Sequence, residues 1–234
     1  MADSFPTMRI GFDMDGVLAD FASAFCAVEQ RLFPDVPGLL PDQPEGDSAP
    51  GPAPSKSSAA GDPYEMRQRH DKIWEQICAT PNFWQSLPPT EPGAVRRVHE
   101  LMMRYRWEVF FITQRPETDG DTVQRQTQRW LVEQGFDLPS VLVIAGSRGA
   151  AAAALRLDYH VDDNVQNCLD VMVAAAAKVV LISGRSDPAG VASRKLGVAI
   201  TPTIGECLDL LEKVSDARNN PTLLNRLAGL VGWK

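Results

Sequence analysis

Two carboxylates follow a short apolar run near the start of the chain, in the stretch Met8 to Asp20, MRIGFDMDGVLAD. We expect the apolar run to be a buried strand. Side chains two positions apart on a strand leave the same face, so Asp13 and Asp15 can point into one pocket. Two neighbouring anions repel each other unless a cation joins them, and a hard divalent cation such as Mg2+ prefers carboxylate oxygens. Gly16 lets the backbone turn tightly after the pair.

An ordinary Asp-Gly turn at the end of a strand would have the same local sequence, so the pair alone does not decide between the two readings. Further polar side chains, however, occur where later apolar runs end. These are Thr113 at the end of WEVFFIT, Arg148 shortly after VLVIA, and Asp162 with Asp163 in HVDDN. Because ligands of parallel sheets bind beyond the carboxyl ends of the strands, we expect these groups and the Asp13 pair to face one crevice.

Strand patterns and helix patterns alternate along the chain, which requires crossover connections. The sequence therefore predicts an α/β fold, a Rossmann-like parallel sheet with helices on both faces. After the first strand, the expected strands are 107–113, 141–145, 159–162, 178–183 and 198–200. The expected helices are 20–32, one that starts near 62, 92–106, 120–135, 148–156, 165–177, 204–214 and 221–231.

The domain organisation follows from the long stretch between the first two strands. We expect residues 1–20 and 107–234 to form the core, and residues 21–106 to form a small helical cap inserted after the first strand. Within the cap, residues 34–62 are rich in proline, glycine and serine. Such a composition cannot bury enough apolar surface to offset its ordering entropy, so we expect a disordered loop there.

The composition limits the classes of partner. Apolar residues make up 44% of the 234 positions, which is enough for a packed core, and no run reaches the roughly 18 apolar residues of a membrane span. The net charge of -7 argues against a nucleic-acid polymer as partner but leaves room for a basic pocket that binds one phosphate. The four widely spaced cysteines indicate neither a zinc site nor a disulfide framework. We expect a cytoplasmic protein, and the sequence does not indicate its oligomeric state.

Taken in order, the segments DMDGVLADF, FFITQRP, SRG and HVDDN resemble the four motifs of the haloacid dehalogenase-like phosphatases. Within that group the chain is most similar to the 5'(3')-deoxyribonucleotidase family. This finer likeness depends on Phe21, on the stretch NFWQSLPPTEPGAV and on the paired aspartates. It covers Met8 to Ser183 apart from the proline-rich insertion.

The resemblance implies a Mg2+-dependent phosphomonoesterase that works through an aspartyl-phosphate. Asp13 would be the nucleophile, which splits one difficult displacement into two easier ones. Asp15 would protonate the leaving oxygen and then activate water as a base. The resemblance places Mg2+ on the Asp13 carboxylate, the Asp15 backbone carbonyl and one of Asp162 and Asp163, with Asp163 preferred. Thr113 would hold a phosphate oxygen.

Arg148 departs from the pattern, which has lysine at this position. Arginine keeps the positive charge but is bulkier and planar, so we expect it to sit further back from the nucleophile. This substitution puts the catalytic rate in question more than the class of reaction. On the substrate side, the resemblance implies that Phe21 and Trp84 face the substrate, with help from Gln114 and Arg115.

The expected substrate is a small phosphomonoester, with a nucleoside 5'-monophosphate favoured. A second interpretation keeps the chemistry and changes the substrate, because the Thr113-x-Arg115 arrangement also resembles phosphatases of polynucleotide 3' ends, and a sugar phosphate is a further option. The acidic net charge weighs against the polynucleotide. A third interpretation is a catalytically weak binding or regulatory protein. The four carboxylates at positions 13, 15, 162 and 163 weigh against it, because perturbed charged groups cluster at working sites.

Overall fold

The structure is a computed structural model and describes residues 7–35, 63–184, 194, 196–218 and 221–233. The predicted disordered loop at 34–62 lies outside the described residues from position 36 onward. Among the described residues, no helix combines the length and the apolar character needed to cross a membrane.

Six parallel strands form one sheet in the order β3-β2-β1-β4-β5-β6. The strands are β1 (Arg9–Asp13), β2 (Glu108–Thr113), β3 (Ser140–Val143), β4 (Tyr159–Asp162), β5 (Lys178–Ile182) and β6 (Ala199–Thr201). The predicted α/β, Rossmann-like parallel sheet is therefore confirmed. The reversal of strand order lies between β1 and β4, and ligands of such sheets bind at the carboxyl end of that point.

The helices lie close to their predicted positions. They are α1 (Phe21–Leu32), α2 (Pro63–Cys78), α3 (Ala94–Tyr105), α4 (Val123–Glu133), α5 (Arg148–Leu155), α6 (Val165–Ala174), α7 (Ile204–Ala217) and α8 (Pro221–Val231), with a short 3-10 helix at Phe83–Gln85. Side chains cap several of them. Asp20 accepts a hydrogen bond from Ser23 N at the start of α1, and Thr122 accepts one from Arg125 N at the start of α4. Such caps satisfy backbone N–H groups that have no partner within the helix.

Both faces of the sheet are covered, because successive strand residues belong to two separate cores. On β5, Val180 belongs to one core, whereas Val179 and Leu181 belong to the other. This is the period of two expected of a strand buried on both sides. Helices α1, α4 and α7 contribute to the first core, and α5 and α6 contribute to the second.

The helices between β1 and β2 differ in what they contact. Helix α1 packs against α2, whereas α3, which the sequence assigns to the cap, packs against α7 beside the sheet. The chain returns to the loop after β1 at Thr90, whose hydroxyl donates to the carbonyl oxygen of Val17 at 2.7 Å. The loop after β1 is thereby held in place by the segment that precedes α3.

Candidate active site

Three carboxylates meet at the carboxyl edge of the sheet. Asp13 is the last residue of β1, and Asp162 is the last residue of the neighbouring β4, followed by Asp163. One oxygen from each lies within 4.8 Å of the others. Asp13 and Asp162 are buried and Asp163 is partly exposed. The structure therefore brings these three side chains together at the carboxyl ends of the strands, as the sequence predicts.

The electrostatics of this cluster centre on Asp13. Burial raises the pKa of the Asp13 carboxyl well above its usual range; the nearby Arg148 cation lowers this pKa, and the Asp162 and Asp163 carboxylates raise it. A buried anion among other anions is costly unless a cation compensates it. Carboxylate oxygens gathered in this way suit a hard divalent cation, so the residues present fit Mg2+.

Asp162 is oriented by its neighbours on both oxygens. Its Oδ1 accepts hydrogen bonds from the backbone N–H of Asn164 at 2.9 Å and from Nδ2 of Asn167 at 3.1 Å. Its Oδ2 lies 3.0 Å from Nε2 of the buried His160. Asn167 is not among the predicted site residues, because nothing in the sequence distinguishes it from other polar residues in the first turn of α6.

Asp163 packs directly against the turn after β1. A Cβ atom at Gly16 would lie 1.9 Å from Oδ2 of Asp163, and the φ angle of Gly16 is +78°. Both observations require glycine at this position. The turn that the sequence predicted for Gly16 therefore also makes room for the third carboxylate.

Arg148 contacts the predicted nucleophile directly. Its Nη2 donates to Oδ1 of Asp13 at 2.5 Å, and its Nε lies 3.9 Å from Oδ2 of Asp162. The expectation that the arginine sits further back was wrong. The reason is local, because α5 begins at Arg148 and packs closely on α6 through Gly149, which brings the start of the helix to the strand ends.

Several buried donors at this edge lack a partner. Within the described part of the chain, the Thr113 hydroxyl and the Nε and Nη1 atoms of Arg148 make no hydrogen bond. Thr113 is 1% exposed and ends β2, the other neighbour of β1. A buried polar group without a partner costs about 1–3 kcal/mol. Such groups beside a carboxylate cluster are suited to bind the oxygens of an anionic ligand.

Asp15 is held by Arg115. The guanidinium donates from Nε to Oδ2 of Asp15 at 2.8 Å and from Nη2 to Oδ1 at 2.6 Å, and its Nη1 donates to the Thr127 hydroxyl at 2.9 Å. The Arg115 side chain is 1% exposed, whereas that of Asp15 is 18% exposed. Arg115 is predicted to bind the substrate, but in the structure its guanidinium donates to Asp15 and Thr127.

The two predicted substrate aromatics lie in a buried cluster. The Phe21 ring stacks on Trp74 at 5.4 Å and lies 5.6 Å from the Trp84 ring. Trp84 donates from Nε1 to the carbonyl oxygen of Pro116 at 2.9 Å, and its ring lies 4.8 Å from Cζ of Arg115. Phe21 and Trp84 are 6% and 1% exposed. Their contacts in the structure are therefore packing contacts.

Gln114, the remaining substrate candidate, follows Thr113 directly and is partly exposed. It lies between two buried residues of the same segment, Thr113 and Arg115. The residue is thus close in sequence to the site, and its predicted role toward the substrate stays a prediction.

Comparisons with known proteins do not identify a family for this chain. No protein-family model matches the chain, and no curated protein matches it. Solved structures that it resembles include a putative beta-phosphoglucomutase from Thermotoga maritima, at 18% identity over 89% of this chain and 100% of that one, with a TM-score of 0.49. They also include a hydrolase from Pseudomonas syringae, at 18% identity over 90% of this chain and 99% of that one, with a TM-score of 0.49.

A third similar structure is a HAD hydrolase of family IA, variant 3, from Entamoeba histolytica HM-1:IMSS, at 14% identity over 86% of this chain and 95% of that one, with a TM-score of 0.46. No deoxyribonucleotidase is named among these three. Sequence identities of this size do not identify a substrate, so the functional argument depends on the geometry of the site.

Proposed function

We propose that this protein is a Mg2+-dependent phosphomonoesterase that acts through an aspartyl-phosphate on Asp13, with nucleoside 5'-monophosphates as substrates. One structural observation is the main support for this reaction. Three converging carboxylates lie against a buried arginine, Arg148, whose Nε and Nη1 make no hydrogen bond to any described residue. Carboxylates bind the cation and supply the nucleophile, and the free donors bind phosphate oxygens. Phosphoryl transfer needs these parts because its catalysis depends on positioning and charge stabilisation.

Asp13 is the nucleophile in this proposal. One oxygen of its carboxylate attacks phosphorus, and the bond from phosphorus to the substrate oxygen breaks. Arg148 orients Asp13 through Oδ1 and offers Nε and Nη1 to the transferred group. The Thr113 hydroxyl, at the end of the neighbouring strand, donates to another phosphate oxygen. These donors are fixed before the reaction, which is what makes electrostatic stabilisation effective.

Asp15 is the acid and base. It lies two residues from Asp13, and it is the more exposed member of its pair with Arg115. In the first step it gives a proton to the leaving oxygen, and in the second it takes one from the water that attacks phosphorus. Arg115 holds both carboxylate oxygens and so fixes their direction. We therefore assign Arg115 to orienting Asp15, in place of direct binding to the substrate.

Asp13 and Asp163 would hold the metal with their carboxylates, together with the backbone carbonyl of Asp15. Of the pair, Asp163 is favoured as the direct ligand because it is partly exposed, whereas Asp162 is fully buried. When bound, Mg2+ offsets the repulsion between an anionic nucleophile and an anionic phosphate. His160 and Asn167 keep the Asp162 carboxylate oriented beside the ligands.

The nucleotide substrate is the finer part of the proposal, on the pattern of the 5'(3')-deoxyribonucleotidases. Its support is the resemblance of the stretch NFWQSLPPTEPGAV and of the paired Asp162 and Asp163 to that family, because Phe21 and Trp84 are buried against each other and not open to a ligand. The cap expected from residues 21–106 would then be formed without α3, which packs against α7 beside the sheet. A polynucleotide 3' end is less well supported than a mononucleotide, because the Arg115 side chain is buried and engaged by Asp15.

One screen tests both levels of the proposal. Phosphate release is measured from a panel of nucleoside 5'-monophosphates, nucleoside 3'-monophosphates and sugar phosphates, with Mg2+ and with EDTA. We expect Mg2+-dependent release, highest with the nucleoside 5'-monophosphates. Higher release from sugar phosphates would overturn the substrate and keep the reaction. No release from any member, or full release in EDTA, would overturn the reaction itself.

A further inference from the structure

The turn that carries Arg148 is held from helix α6 by a single carboxylate, Asp170. Its Oδ2 accepts a hydrogen bond from the Ser147 hydroxyl at 2.7 Å and another from the backbone N–H of Gly149 at 2.8 Å. The Ser147 hydroxyl in turn accepts from the backbone N–H of Ala150 at 2.9 Å, as the N-cap of α5. Asp170 therefore holds both residues that flank Arg148.

Helices α5 and α6 pack so closely at Gly149 that no side chain would fit there. A Cβ atom at Gly149 would lie 2.4 Å from the carbonyl oxygen of Asp170 and 2.6 Å from Cβ of Ala174. The start of α5 is thus pressed against α6, with Arg148 directed to Asp13. A negative side chain at a helix N-terminus is also favourable toward the helix dipole.

Helix α6 also orients Asp162, the second carboxylate that lies near Arg148. Asn167 on α6 donates from Nδ2 to Asp162, and Asp170 follows three positions later. Residues three apart lie on the same face of a helix. One face of α6 therefore fixes both Asp162 and the backbone on either side of Arg148.

We propose that Asp170 is a positioning residue that acts through Arg148. Its carboxylate sets the position of the Ser147 to Gly149 turn and with it the direction of the guanidinium toward Asp13. The expected effect of Asp170 on kcat rests on the proposed phosphatase function. Its effect on the position of the Arg148 guanidinium does not depend on any activity.

The kinetic test uses Asp170→Ala in two backgrounds. With Arg148 present, kcat for 4-nitrophenyl phosphate should fall by about 10- to 100-fold, as expected when a catalytic group is displaced by about 1 Å. In Arg148→Ala, the same change should cause no further loss. Asp170→Asn keeps one acceptor oxygen and the side-chain volume, so it should retain more activity than Asp170→Ala. Equal losses in the two backgrounds, or no loss with Arg148 present, would overturn the proposal.

Asp158→Ala serves as the control variant, and the NMR signal of Arg148 serves as a second readout. Asp158 also accepts a backbone N–H with its carboxylate, from Arg9 at 2.7 Å, but at the opposite edge of the sheet. Asp158→Ala should lower stability without changing kcat. The NMR signal of the Arg148 Nε–H group, assigned by its loss in Arg148→Lys, should broaden or shift in Asp170→Ala and stay in place in Asp158→Ala.

The NMR readout separates two kinds of failure. If the parent protein hydrolyses no phosphomonoester, the proposed function is wrong, and the Arg148 signal still tests the role of Asp170. An unchanged Arg148 signal in a folded Asp170→Ala protein would overturn the positioning role, whatever the activity.

Discussion

Replacing Arg148 by alanine removes the cation that lies between Asp13 and Asp162. The side chains of Arg148 and Asp13 are 6% and 4% exposed, so solvent screens their attraction little. Breaking such a buried pair by removing one partner costs about 3–5 kcal/mol of unfolding free energy. The arginine is also the group that lowers the Asp13 pKa. In the variant that pKa therefore rises further, and the loss of stability should be larger at alkaline pH, where Asp13 has to ionise.

In the proposed reaction, the same substitution removes a donor that faces the transferred phosphoryl group. Removal of one preorganised donor that faces transition-state charge costs about 100- to 1000-fold in kcat. Arg148→Ala should lose activity on this scale with any phosphomonoester that the parent hydrolyses. Arg148→Lys should match or exceed the parent, because lysine restores the charge as a compact ammonium with free donors.

The assay combines urea unfolding at mildly acidic and mildly alkaline pH with steady-state kinetics in Mg2+. Arg104→Ala is the matched control, because Arg104 pairs with Glu212 at 2.9 Å but its side chain is 64% exposed. An exposed pair of this kind contributes about 0–1 kcal/mol. If Arg148→Ala were as stable and as active as Arg104→Ala, the buried pair would have neither the structural nor the catalytic role assigned to it.

Three further predictions concern the rest of the site. Thr113→Val removes a buried hydroxyl that lacks a partner among the described residues, so stability should be unchanged or slightly higher while the KM for phosphomonoesters rises, as unfolding and steady-state kinetics would show. Gly16→Ala places a Cβ 1.9 Å from Asp163 Oδ2, so calorimetric titration should find Mg2+ binding weakened by at least about tenfold. In EDTA, the folded state keeps the Asp13 proton to a higher pH than the unfolded chain does, because burial raises this pKa. The free energy of unfolding should therefore fall as pH rises from the usual aspartate range to the raised pKa, and a pH series with Asp13→Asn should lack that slope.

The site residues that lie at the ends of strands could be predicted from the sequence. Asp13, Thr113 and Asp162 end apolar runs, and in a parallel sheet the carboxyl ends of neighbouring strands meet at one edge. Period and composition were enough to place the strands and, with them, the backbone of these residues. The order of the strands then placed their side chains within reach of one another.

Side-chain partnerships could not be predicted in the same way. Arg115 and Asp15 are 100 positions apart, and nothing in their spacing indicates that the arginine holds the aspartate and not a ligand. The aromatic pair Phe21 and Trp84 shows the same limit, since packing and substrate binding require the same residue types. The carboxylate of Asp170 belongs to an ordinary helical segment, and only the close contact of two helices reveals its role.

In the proposed reaction, Asp13 carries the phosphoryl group between the two steps. The most direct measurement is mass spectrometry of the peptide that contains Asp13, from protein quenched in acid during turnover of an aryl phosphate with Mg2+ and digested with pepsin at low pH, where an acyl phosphate survives. We predict that a fraction of this peptide carries one phosphoryl group in the parent and none does in Asp13→Asn. In Asp15→Asn the fraction should increase, because an aryl leaving group needs little protonation while hydrolysis of the intermediate loses its base. A phosphorylated peptide in Asp13→Asn, or turnover in the parent with no phosphorylated peptide in any protein, would contradict the account.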